Sequence, residues 1–538
     1  MDILFHSPFS DISTQQPAYT FFRNFSNNLH DRRNHMPTKP FKPPKFFGIF
    51  LLITFFCAIA TVNCQAAGPD FTAIEAERQK IRDEMQKKMK DKIKGEMQDK
   101  MSGMPQAALD AQSKEKVTMP PLDEAIALAQ QAADEEAASL IDYDFHKKGK
   151  VIIVPDDHKS IQAAIDAAAA GDVIMVKAGV YYEQLIMKNG IKLVSDSSDN
   201  GDELVDVPGA KLKLPRRALR TIIDGSNAKP SEHGMIDFDP GITRKTIIDG
   251  FTVQNLPPQD HHVPGHAHGL NVRGASPVIM NCLINNMGST GIGSHVVYND
   301  QESPITTRDF RHANIKHFAS AVIYHNIVHD SLGLGIGCNH FSSPSILGNE
   351  VFNNSDAALG EGPSPGIGSK HGSFATMIGN IVHGNPGGGI GAKKGVKQGK
   401  HAVDRPTHPT VMKNVIYDNG EKRPAITGQH AGSTEMPLVI IGNFIYTTDT
   451  TAIGISDKAV GIIENNLINN GKDPAIAVNA STALKLNHNK VGGKKEIPGI
   501  IIVNGGVVEE MIGNSVDIGK DTPRFLVDKD SVVKVKGH

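Results

Sequence analysis

The stretch GIGCNHFSSPSILGN, Gly335 to Asn349, opens on two glycines and carries a cysteine, a histidine and a closing asparagine, and altered copies of it recur along the chain. They are GIGSHVVYN from Gly291, GIGSKHGSFATMIGN from Gly366, GIGAKKGVKQG from Gly389 and AITGQHAGSTEMPLVIIGN from Ala425. Recurrence of this kind marks one small unit stacked on itself. Aligning strands of the pattern I-x-x-N-x-apolar puts Asn281, Asn326, Asn349, Asn380, Asn414, Asn443, Asn465, Asn489 and Asn514 in one column. The spacing has a floor in the low twenties with scattered excess, which suits one solenoid coil plus loop insertions. Stacked asparagines at a turn hydrogen-bond their neighbours, so this column reads as structural.

A second recurring strand aligns Leu270, Ile292, Ile336, Ile367, Ile390, Ile426 and Ile453 as residues pointing into the solenoid. By the two-residue period of a strand, the next residues point out: Asn271, Gly293, Gly337, Gly368, Gly391, Thr427 and Gly454. Glycine is poor in strands, so such a row needs either a bend or the close approach of a ligand or another backbone. Two residues beyond that glycine row, on the same outer face, lies the row Arg273, His295, Asn339, Lys370, Lys393, Gln429 and Ser456. Lys370 and Lys393 on neighbouring coils repel each other, and a bound anion would relieve that repulsion. A glycine floor with Asn271, Asn339 and Gln429 beside such a row fits a groove for an acidic sugar chain, although a plain solvated face accounts for it equally well.

One residue further on, Gly274, Val296, His340, His371, Lys394, His430 and Asp457 form a column that strict alternation would turn inward. So many polar groups predict a turn there instead, swinging His340, His371 and His430 to the rim. His340 and His371 on adjacent coils come within reach of one metal ion, with Cys338 joining if the bend permits; imidazole plus thiolate suits copper or zinc. Of 23 histidines, 15 fall between His261 and His430. The insertion DHHVPGHAHG holds His261, His262, His266 and His268, and RDFRHANIKH holds His312 and His317. Both insertions read as surface loops able to close over the groove, the first as a candidate metal-binding loop.

The main domain opens with VIIVPDDHKSIQAAIDAAAAGDVIMVKAGVYYEQLIMKNGIKLVSD, Val151 to Asp196: a strand, an alanine-rich helix ending at Gly171, and further short strands. In SIQAAIDAA, GDVIMVKAGVYYE and NGIKLVS this stretch resembles the N-terminal cap of right-handed parallel β-helix proteins of the pectate-lyase-like superfamily. The resemblance implies an all-β solenoid and, by analogy, action on a polysaccharide. The clustered aspartates that bind calcium in pectate lyases and the Asp-Pro-His-Glu motif of alginate epimerases are both missing. A glycosidase is disfavoured because the groove supplies no facing carboxylate pair: Asp457 is alone and Glu361 lies in an insertion.

The 538 residues carry a net charge of -2, which with the lack of a basic block among aromatics argues against a nucleic-acid partner. KPFKPPK before the apolar run Phe46–Val62 predicts a signal peptide, with a start at Met36, cleavage near Ala67 and a periplasmic or secreted destination. At 17 residues the run is short for a retained membrane anchor. Cys282 and Cys338 then remain, on different sides of a coil, and are expected to stay unpaired. Residues 71–104 place Ile81, Met85, Met89, Ile93, Met97 and Met101 four apart, a helical packing or self-association face whose methionines could also take copper(I). A second helical stretch, LDEAIALAQQAADEEAASLI, leads to the solenoid. The expected domains are 1–67, extension and signal peptide; 68–145, helical Met-rich segment and linker; and 146–538, the β-helix.

Three functions compete. The first is an exported lyase or epimerase of uronic acid chains, in which Arg273, Lys370 and Lys393 neutralise the carboxylate and Lys370, His295 or His371 abstracts the proton. The second is a periplasmic copper- or zinc-handling protein, a reading joined by an outline similarity to the β-helix protein associated with nitrous oxide reductase maturation. The third is a structural or adhesive solenoid without chemistry.

Overall fold

A computed structural model describes residues 116–535, apart from 229–233, 259–267, 301, 304–307, 355–363, 396–405, 421–422, 447–449, 470–472, 494–496 and 520–521. The Met-rich 71–104 segment and the apolar run at 46–62 lie outside the described residues, as do His261, His262 and His266. Among the described residues no helix is long and apolar enough to cross a membrane.

Three long parallel sheets, of 14, 12 and 12 strands, wind along one axis and are called A, B and C here. One coil shows the repeat: Val322–Tyr324 in sheet A, a turn at Asn326, Ile327–His329 in sheet B, Ile336–Cys338 in sheet C, and then Ser345–Leu347 back in sheet A. The described residues are all-β in class, with three α-helices among them: α1 (Leu122–Leu140), α2 (Ile161–Ala167) and α3 (Arg216–Arg220). One continuous core fills the solenoid, and Leu270, Ile292, Ile336, Ile367, Ile426 and Ile453 lie in it at 0–1% exposure. Helix α2, capped by Ser160 whose side chain accepts from the Ala163 amide, packs its Ile161, Ala164 and Ile165 against the first strands.

The turn after sheet A is held by an asparagine ladder. The Oδ1 of Asn349 accepts from both the backbone N–H and the Nδ2 of Asn326, and the pattern repeats through Asn380, Asn414, Asn443, Asn466, Asn489 and Asn514. Two members of the predicted column are displaced by one residue. Asn466, not Asn465, carries the ladder, and Cys282, not Asn281, fills the first rung, where its amide donates to Asn326. Asn281 instead donates to Asp249, and both displaced residues take up a positive φ just outside the turn. A second ladder, Asn354–Asn385–Asn419, pins the turn after sheet B.

Residues 116–141 form an external strap that runs against the order of the coils. The Val117 amide donates to Asp517 near the C-terminal end, and the Tyr446 hydroxyl donates to the Pro120 carbonyl. Helix α1 then seats Ala125 and Ala129 on Val415, and Ala133 and Ala137 beside Leu347, Val322 and Val278. An alanine every four residues gives one narrow face. Room for it comes from Gly379, where an added Cβ would lie 2.1 Å from the Ala129 carbonyl oxygen. The Tyr324 hydroxyl donates to Asp134, and at the far end Ile141 packs by Ile247.

Candidate functional site

Strand register brings the second recurring motif into true columns. Gly293, Gly337, Gly368, Gly391, Thr427 and Gly454 are successive partners across sheet C, as are Arg273 with His295 and Lys370 with Lys393 and Gln429. The interior face is apolar as expected, but the outer glycine row is not an open floor. A β-carbon at Gly293 would lie 1.9 Å from His268 Cδ2; at Gly368, 2.8 Å from Leu334 Cδ2; at Gly391, 2.8 Å from Pro365 Cγ; at Gly454, 2.6 Å from Pro424 Cγ. Leu334 also reaches Gly337. The segment entering one strand lies over the glycine of the next coil's strand, and glycine makes the space. Gly293, Gly337, Gly368 and Gly391 therefore receive this chain's own side chains, and Asn271, 1% exposed, is covered too.

The accessible chemistry lies at the ends of the same strands. His340, His371, His430 and Asp457 have φ of 50–56°, the left-handed conformation that few non-glycine residues adopt. This is the turn that swings the column out of the core. Cys338 goes the other way: its side chain is fully buried in the solenoid interior, and burial pushes its thiol up to about 12. It cannot join His340 and His371 at the rim. Cys282 and Cys338 are both free.

An insertion after His295 completes the rim. Val297–Tyr298 pairs antiparallel with Ile315–His317, and the loop between them carries Arg308 and Phe310. Phe310 stacks on His340 at 5.0 Å between ring centroids, and His340 stacks on His371 at 4.6 Å. Tyr298 meets Phe310 and His340 edge-on, and the Arg308 guanidinium lies 5.9 Å from the Phe310 ring centroid. Gly395 closes on His371 from the other side, where a β-carbon would come within 1.8 Å of Nδ1. His268 packs edge-on to His295 at 6.2 Å. His312 packs on Phe318 and Phe341.

Burial, reinforced by His268, Arg273 and Arg308, pulls the His295 imidazole down to about 3. Burial with Lys370 pulls His371 down to about 4, and burial with His371, His295 and Arg308 holds His340 well below its ordinary value. All three are neutral at pH 7, and burial makes them reluctant to take up a proton. As metal ligands His340 and His371 are poorly disposed in this arrangement: lone pairs lie in the ring planes, and two planes only 12° apart at 4.6 Å do not aim at one ion. Among the described residues no group of three or more His, Cys, Asp or Glu is placed to hold a metal.

Arg308, Tyr298 and Phe310 escaped the sequence reading. Arg308 and Phe310 stand in the very insertion, RDFRHANIKH, in which only the histidines were singled out. An arginine beside an aromatic in a loop entering a cationic row was the available signal.

Residues 243–398 match the family model described as "Right handed beta helix region". The chain is a right-handed parallel β-helix protein. Sequence comparison with curated proteins finds no match. Similar solved structures include the mannuronan C-5 epimerase AlgE6 A-module of Azotobacter vinelandii, at 15% identity and TM-score 0.37 over 70% of this chain and 95% of that one. Another is a polygalacturonase from Erwinia carotovora ssp. carotovora, at 10% identity and TM-score 0.35 over 72% and 96%. A third is the tailspike protein gp49 of Acinetobacter baumannii bacteriophage Fri1, a capsular polysaccharide depolymerase, at 8% identity and TM-score 0.33 over 71% and 62%. Scores of this size assign no chemistry to the chain.

Proposed function

We propose that this is an exported β-helix protein that binds an acidic polysaccharide across the ends of the sheet C strands and cleaves or modifies it by lyase- or epimerase-like chemistry. One observation carries the reading: Arg273, Arg308 and Lys370 gather around the neutral imidazoles of His295, His340 and His371. β-Elimination and C5 epimerisation of a uronate begin alike, with loss of the proton next to the carboxylate. Cations beside that carboxylate stabilise the charge that spreads onto it as the C5–H bond breaks. Arg273 and Arg308 serve that role, and Lys370 or His371, at the neighbouring turn, accepts the proton. The electron pair then expels the oxygen at C4, giving an unsaturated sugar, or recaptures a proton on the opposite face.

The test is incubation of the full chain with polygalacturonate, alginate and a glycosaminoglycan. A lyase generates ultraviolet absorbance; an epimerase exchanges the C5 hydrogen with deuterated water, read by NMR. Either activity should fall at least tenfold in Lys370→Ala and Arg308→Ala. Neither turnover nor binding with any of these polymers would sink the reading, and about one copper or zinc per purified chain, lost in His340→Ala, would move metal handling ahead of it.

A further inference from the structure

The cationic row does not run the length of the solenoid. Its cations fall within five consecutive strands of sheet C, from Leu270–Arg273 to Ile390–Lys393: Arg273 at one end, Lys370 and Lys393 at the other, and the neutral donors His295 and Asn339 between them. Beyond Lys393 its register partner is neutral Gln429, whose Nε2 donates to the Asp457 carboxylate at 2.6 Å. Asp457 is exposed, at the turn that follows the next strand, Ile453–Ser456. On the other side, the strand Ile236–Phe238 pairs with Leu270–Arg273 so that Phe238 faces Val272. The next residue in that register, opposite Arg273, is the exposed Asp239. A carboxylate thus stands one strand before Arg273, and another two strands beyond Lys393, held against the intervening Gln429.

We propose that Asp239 and Asp457 are end stops that limit the site to a short run of a polyuronate, about four or five sugars long. The inference rests on the acidic-polysaccharide reading and adds a length to it. Five strands about 4.8 Å apart span about 19 Å across the sheet. An extended chain of 1,4-linked uronates advances by a comparable distance per sugar, so one coil meets roughly one carboxylate. Within the stretch each carboxylate meets a cation or a hydrogen-bond donor, with Arg308, by the Phe310 ring that stacks on His340, adding a further cation. A further sugar before Arg273 brings its carboxylate against Asp239, and one beyond Lys393 comes onto Gln429, whose side chain already holds the Asp457 carboxylate; like charges that close repel. The row supplies attraction, and the two aspartates supply the discrimination that attraction alone does not give.

The experiment is calorimetric titration of the full chain at low salt with oligogalacturonates, and separately with oligomannuronates, of two to ten sugars. The expected affinity rises with length to about four or five sugars and then levels off. In Asp457→Lys and in Asp239→Lys the plateau should move out by one or two sugars, with affinity for trimers changed less than twofold. Affinity that keeps climbing in the unaltered chain, or substitutions that shift short and long oligomers alike, would overturn the end stops while leaving the polysaccharide reading intact. Absence of binding at every length in both series would overturn both. Circular dichroism of the variants, which alter exposed side chains only, checks that the fold is kept.

Discussion

Asn349 offers one side-chain oxygen to two donors of Asn326, the backbone amide at 3.0 Å and Nδ2 at 2.9 Å, and both residues are completely buried. Asn349→Ala therefore strands two donors inside the turn, at a cost of roughly 2–5 kcal/mol. Asn466→Ala should behave alike. Asn465→Gly should be tolerated, because Asn465 stands outside the ladder with a φ of 56° that glycine adopts freely. Urea unfolding of the three variants, followed by circular dichroism, separates these outcomes.

The covered glycine row predicts unequal tolerance. Gly293→Ala sets a methyl group 1.9 Å from His268 Cδ2 and must displace that ring, for a loss of about 1–3 kcal/mol. Gly337→Ala meets the flexible end of Leu334 at 3.1 Å and Thr290 Cγ2 at an ordinary 3.4 Å, and should cost far less. If the row were an open sugar-binding floor, both would weaken ligand binding and neither would lower the urea midpoint.

Removing a cation should return the imidazoles toward ordinary basicity. Arg308 presses on both His295 and His340, so Arg308→Gln should raise both pKa values, read from histidine C2 proton shifts across a pH series. Burial, the larger cause at each, remains in the variant, so the rise should be partial. No movement at either ring would remove Arg308 from the site.

Stability should fall on acidification. His295, near 3, and His371, near 4, bind protons less readily when folded than an unfolded histidine at about 6.5. Between those values the unfolded chain holds more protons, so stability is fully present above about pH 6.5 and is lost as pH falls toward 4. His340 adds in the same direction. Urea midpoints at pH 7 and pH 5 measure the loss, and it should shrink in His295→Gln.

The strap should fail at one glycine. Gly379 has a φ of 68° and faces the Ala129 carbonyl, so Gly379→Ala both strains the turn and pushes helix α1 outward. The expected signature is faster proteolysis within 116–141, with far-ultraviolet circular dichroism of the sheets retained.

Much of sheet C was legible because its evidence is local. Isoleucine, glycine and lysine recur at fixed offsets within a strand, and the two-residue period assigns faces without any distant partner. The ladder was legible except where polar residues come in pairs: Asn281–Cys282 and Asn465–Asn466 each offer two candidates, and only the hydrogen-bond register chooses between them. What covers the glycines was hidden although His268, Leu334, Pro365 and Pro424 each stand two residues before the inward residue of a strand, because the period within a strand does not tell that its entry lies over the next coil. Arg308 was hidden because a long insertion delivers it to a row it does not align with. The alanine stripe of helix α1 announced a packed face, but nothing in its own sequence named the coils that receive it.

The strap also sets an order of events. Val117 leaves the ribosome 400 residues before its partner Asp517, and Pro120 precedes Tyr446 by 326. Coils can close on their neighbours as they are made, since each ladder bond joins residues only 23 to 44 apart. The segment synthesised before the solenoid is thus the last to settle on it, and its fastening reports that nearly the whole chain has been delivered and wound.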